Sequence, residues 1–96
     1  MKNMFDENTR AFFEAILSLE SVEECEMFFQ DACTIKEIQD LSQRYEVARM
    51  LASGMPYQEI ARETGASTAT ICRVNKAMQY GEGGYQIALS RREETK

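Results

Sequence analysis

The chain has 96 residues, 44% hydrophobic and 28% charged, an ordinary globular balance that leaves room for one domain only. Its three cysteines, Cys25, Cys33 and Cys72, show no CxxC spacing, and no histidine is present to complete a zinc site, so they read as reduced, structural thiols. The net charge of −5 weighs against a nucleic-acid partner only until its distribution is seen: residues 1–40 hold ten acids and three bases, whereas residues 41–96 hold six acids and eight bases.

In chain order, Phe5, Phe12, Phe13, Ile16 and Leu17 recur at the spacing of one helical face, with Asp6 or Asn8 placed to cap a helix ending near Leu19. Ser21 and Glu24 form a capping box ahead of a second helix marked by Val22, Cys25, Phe28, Phe29 and Ala32. Thr34 and Glu37 form another, and the stripe Ile35, Ile38, Leu41, Tyr45, Ala48 and Leu51 makes the third helix the longest before Gly54 stops it. Pro56 suits the first turn of a short fourth helix that Gly65 breaks. Ser67 or Thr68 caps a fifth, whose inner face is Ile71, Val74 and Met78, and Gly81, Gly83 and Gly84 end it. A last short helix carries Tyr85, Ile87, Ala88 and Leu89, and the RREETK tail is expected to fray. No segment alternates as a strand would, so the expected class is all-α with about six helices.

The apolar stripes read as core. Phe12 and Phe13 are adjacent, as are Phe28 and Phe29, and neighbouring helical residues point about 100° apart, so each of these helices has more than one apolar face to cover. In a chain this small the second face finds cover most easily on another subunit, which makes the first three helices the candidate homodimer interface. The expected organisation is one domain over 1–96: a helical dimerisation core at 1–53, a helix-turn-helix at 56–80, and a short helix and tail at 85–96. No run of about 18 apolar residues is present, and the opening MKNMFDENTR lacks the apolar stretch of a secretory signal, so a cytoplasmic protein without a membrane partner is expected.

The segment YQEIARETGASTATICRVNK has the spacing of a helix-turn-helix. Ala61 is small enough for two helices to cross closely, and Gly65 can take the positive φ that a tight turn needs. Ile60, Ala61, Ile71 and Val74 then lock the angle between the helices. The outward residues Ser67, Thr68, Ala69, Thr70, Cys72, Arg73 and Lys76 combine short side chains, which let a backbone approach base edges, with two cations that reach phosphates. Gln58 and Arg62 on the preceding helix are further phosphate contacts. Residues 67–80 contain no acid, unlike a merely solvated helix, which mixes glutamate with lysine.

At these residues, ETGASTATICRVN and the preceding MLASGMPYQEIAR, the sequence resembles the tryptophan repressor family and within it the YerC/YecD branch, over about Leu41 to Gly84. The resemblance implies six helices per subunit, an intertwined dimer, and a recognition helix from about Ser67 entering the major groove of double-stranded DNA. Two such helices would stand about 34 Å apart. It also implies a corepressor site, in which Arg73 fits the arginine that stacks on bound tryptophan. Val74, however, stands where the tryptophan repressor has a glycine that admits the indole, and Gln43 where it has an arginine on the ligand's carboxylate. A branched side chain and a neutral amide both oppose tryptophan binding, so no cofactor is expected.

The leading expectation is therefore an operator-binding regulator, a repressor by resemblance, either constitutive or governed by an unidentified small-molecule effector. The competing one is a helical interaction module whose acidic body docks a protein and binds no DNA. Enzyme chemistry finds no support, because there is no histidine and no recognisable arrangement of nucleophile and base.

Overall fold

The computed structural model describes residues 4–95, with side chains for residues 4–92. Its elements are α1 (Glu7–Leu17), α2 (Val22–Ala32), α3 (Ile35–Ala52), α4 (Tyr57–Thr64), α5 (Thr68–Tyr80) and α6 (Gly84–Thr95), and no strand occurs among the described residues. None of these helices is long and apolar enough to cross a membrane.

Most helix starts follow from local hydrogen-bond chemistry. Asp6 caps α1 by accepting from the Thr9 backbone N–H at 2.8 Å. At α2 the Glu24 N–H donates to Ser21 Oγ while the Glu24 carboxylate accepts from the Glu20 N–H. At α3 the box is reciprocal: Glu37 N–H donates to Thr34 Oγ1 at 3.1 Å, and Thr34 N–H to Glu37 Oε1 at 2.8 Å. The end of α3 is a Schellman motif, in which Gly54 takes φ +86° and the Gly54 and Met55 N–H groups donate to the Leu51 and Met50 carbonyls. Pro56 sits one residue before α4, as its N-cap, rather than inside the first turn.

The chain divides into two units, residues up to Ile38 and residues from Gln39 onward. In the first, no described residue is buried. All five phenylalanines of the chain lie here and form a chain of ring contacts, with Phe12 and Phe28 joining α1 to α2 at a centroid separation of 5.9 Å. Stacking leaves three of them exposed, Phe5 at 50%, Phe12 at 39% and Phe13 at 43%, and Leu17 beside them is 84% exposed.

The second unit holds the core. Val47, Ala48 and Met50 of α3, Ile60 of α4, Ala66 of the turn, and Ile71 and Val74 of α5 are buried together, flanked by Leu51, Met55, Ala61, Met78, Tyr85 and Leu89. Each of the four largest fully buried side chains, Ile60, Ile71, Val47 and Val74, contributes about 2 kcal/mol by leaving water. Of the expected α3 stripe, Ala48 is buried in this core and Leu51 packs against it, whereas Ile35 and Leu41, nearer the start of the helix, are exposed.

The helix α6 extends through Thr95 and so takes in the RREETK tail as far as that residue. Tyr85 and Leu89 anchor the first turns of α6 on the core, and Gln86 Nε2 donates to the Met78 carbonyl. Once those turns exist, each further residue gains one backbone hydrogen bond for the two dihedrals it fixes, so extension escapes the cost of nucleation.

Candidate nucleic-acid interface

Three residues, Gly65, Ala66 and Ser67, separate α4 from α5. Gly65 adopts φ 74° and ψ 5°, the left-handed conformation in which its N–H still donates to the Ala61 carbonyl at 2.8 Å. Ala66 is buried against the core. Thr64 ties the turn together: its hydroxyl donates to the Ile60 carbonyl at 2.7 Å and accepts from the Ala66 N–H at 3.1 Å. The Thr64 carbonyl in turn accepts from Gln43 Nε2 at 3.1 Å, which fastens the turn to α3. The polar groups exposed by breaking the helix are therefore largely satisfied, and the turn is held on both sides.

Past the turn, Ser67 caps α5 by accepting from the Thr70 N–H at 3.1 Å, and its own hydroxyl donates to Thr70 Oγ1 at 3.1 Å. The inner face of α5, Ile71 and Val74, is fully buried against Ile60. That leaves Thr68, Ala69, Cys72, Arg73 and Lys76 exposed on the outer face, while Thr70 is half-buried. Ala69, Cys72, Arg73 and Lys76 line one shallow depression along α5. Gln58 and Arg62 are exposed one turn apart on α4, outside that depression. The two-sided geometry expected of the motif is thus present. One side fixes the angle, and the other offers short side chains first and cations one to two turns later.

Sequence reasoning missed three contributors. Thr64 and Gln43 hold the turn by a hydrogen bond between residues 21 apart in the chain, a separation at which no local pattern operates. Tyr80, 80% exposed, continues the acid-free outer face to the end of α5 and lines the same depression; its helical spacing from Arg73 and Lys76 was the available signal.

A larger cleft, about 710 Å³, lies away from this face, between the end of α3 and α6. Glu46 and Arg49 stand on it as a two-point ion pair at 2.7 and 3.1 Å. Hydrogen bonding from Arg49 holds the Glu46 carboxyl below its ordinary range, assisted by the positive charges of Arg49 and Arg92. Both partners are solvent-accessible, so the pair orients side chains more than it stabilises the fold.

Comparison with known proteins agrees with this geometry. The profile of the Trp repressor protein family matches residues 7–93. The Bacillus subtilis (strain 168) protein YerC, described as uncharacterized, is 58% identical over 83 residues, which span 86% of this chain and 80% of that one. Among solved structures, a TrpR-like protein from Eubacterium eligens superposes with a TM-score of 0.89 at 49% identity, covering 92% of this chain and 91% of that one. A chain from Staphylococcus aureus superposes with a TM-score of 0.90 at 47% identity, covering 94% and 90%.

Proposed function

The chain belongs to the Trp repressor family, and from that premise we propose that it is a cytoplasmic, sequence-specific DNA-binding repressor acting as a homodimer. The observation that carries this reading is the division of α5 into a fully buried inner face and an exposed, acid-free outer one. In this reading Thr68, Ala69 and Cys72 face base edges, Ser67, Gln58, Arg62, Arg73 and Lys76 contact phosphates or the groove wall, and Thr70, half-buried with its hydroxyl on Ser67, supports that face. Catalysis has no part in it; bound protein represses by occupying its operator.

The homodimer is supported by the first unit, where no described residue is buried although all five phenylalanines lie there. Apolar faces of that size on a short chain call for a second copy. Two heads on one dimer would present two α5 helices about 34 Å apart, one helical turn of DNA.

Tryptophan is not the corepressor in this reading. The side chain of Val74 is fully buried in the core shared with Ile60 and Val47, and the amide of Gln43 is committed to the Thr64 carbonyl, so neither the space nor the cation for an amino-acid carboxylate comes from these positions. The protein is constitutive or answers to another small molecule.

Electrophoretic retardation of duplexes at low salt tests the proposal. Lys76→Ala should weaken binding alike on all sequences and, by removing one phosphate contact per subunit, reduce the salt slope of a dimer by about 1.8. Thr68→Ala should instead alter which sequences are preferred. If both variants bind like the parent, or no duplex is retarded at all, the assignment of this face is wrong.

A further inference from the structure

Side chains that distinguish bases by paired hydrogen bonds are few: Arg or Lys on guanine, Asn or Gln on adenine, and carboxylates on cytosine. None of them lies among residues 67–72, the cap and opening turn of α5. The first candidate, Arg73, follows Thr68 by five residues, about 7 Å farther along the helix axis. Two of the three hydroxyls in this stretch serve the helix itself, since Ser67 accepts from the Thr70 N–H and donates to Thr70 Oγ1. The third, on Thr68, is a single donor and acceptor that fits any base edge. What the exposed opening of α5 offers selectively is therefore apolar: the methyl of Thr68, the methyl of Ala69 and the thiol of Cys72, all exposed.

The major groove has one apolar feature that such groups can read, the C5-methyl of thymine. Resting on the reading of α5 as the DNA-contacting helix, we propose that Thr68 and Ala69 are specificity-determining residues that pack against thymine methyls, so that the preferred targets carry thymine beneath the start of α5 in each half-site. Arg73 and Lys76, one and two turns along the same depression, supply attraction to the duplex without selecting its sequence.

The test uses the full-length protein and the tightest duplex recovered from a random-sequence pool, with thymine replaced by deoxyuridine at the half-site positions. Deoxyuridine keeps the base pair and every hydrogen-bonding edge and loses only the methyl. Each lost contact should weaken binding about fourfold, equivalent to about 0.8 kcal/mol for a buried methyl group, and one in each half-site about fifteenfold. The Thr68→Ser, Ala69→Gly double variant should bind the thymine and deoxyuridine duplexes equally, whereas Thr68→Val, which keeps a methyl and loses the hydroxyl, should still discriminate. Thermal melts establish that both variants are folded under the binding conditions. Equal binding of the two duplexes by the parent, or undiminished discrimination by the double variant, overturns methyl readout and leaves DNA binding intact. Failure to recover or retard any duplex overturns the DNA-binding reading and this inference with it.

Discussion

Gly65 offers the cleanest perturbation of the turn, because its cost can be worked out from backbone geometry alone. The residue sits at φ 74°, ψ 5°, and a Cβ built there meets no atom within 4 Å. An alanine at 65 therefore clashes with nothing, and its whole penalty is that of holding an L-residue in the left-handed region, about 1–2 kcal/mol. Against this, alanine restricts the unfolded chain and recovers about 0.4–1 kcal/mol. The net loss is about 1 kcal/mol per chain, which for a domain of this size lowers Tm by about 4–8 °C. Asparagine tolerates the left-handed region better and should fall between glycine and alanine, and β-branched valine should be worst. Circular dichroism melts of the four proteins at one protein concentration give the comparison. A Gly65→Ala protein melting at or above the parent, or an asparagine variant as damaged as the valine one, would refute the claim that this turn depends on a left-handed residue.

Three further outcomes are expected. If the apolar faces of α1 and α2 are covered by a second copy as proposed, the melting temperature should climb with protein concentration, each tenfold increase adding about 1.4 kcal/mol to the dimer; a melt that ignores concentration contradicts the homodimer. Titration with tryptophan in a calorimeter should give no saturable heat up to millimolar ligand, and a micromolar isotherm would show that Val74 and Gln43 do not obstruct it. Asp6 has its carboxyl held below the ordinary range, first by the Thr9 backbone N–H and then by the Thr9 side chain. A depressed carboxyl stabilises the fold above its unfolded pKa, and that contribution disappears as pH falls through the folded one. Helix content should accordingly drop on acidification below the ordinary aspartate range. Asp6→Asn, a cap that does not titrate, should show a smaller drop in far-ultraviolet circular dichroism; an unchanged acid limb would mean that Asp6 does not couple α1 to pH.

The helix boundaries were legible in the sequence because caps are local. Ser21 with Glu24, Thr34 with Glu37, Ser67, and the glycines at 54 and 65 each act on backbone groups within a few residues. The inner face of the helix-turn-helix was legible for a related reason: Ile60, Ile71 and Val74 are apolar at helical spacing on either side of a glycine, and burial followed. What failed was the extent of the covered face where a helix is apolar on several sides. Along α3 the stripe correctly included Ala48 and Leu51 but missed Val47 and Met50, which are buried beside them, and Leu41, on the same face as Ala48 two turns earlier, is exposed: how far along a helix its partners reach is not written in its periodicity. The start of α6 was legible from Tyr85 and Leu89, which pack on the core, whereas the polar residues that extend it to Thr95 carry no apolar pattern to mark its end. In the candidate interface the identities of the outward residues followed from the inward ones, whereas the commitment of the Ser67 hydroxyl to Thr70 became apparent only from side-chain geometry.

Selection of bound duplexes from a random pool probes the role of α5 most directly, since one experiment reports DNA binding, dimerisation and helix spacing together. A consensus of two inverted half-sites, centred about 34–36 Å apart, is the predicted result. Recovery of an asymmetric motif, or enrichment of no sequence at salt low enough to favour any phosphate contact, would contradict it.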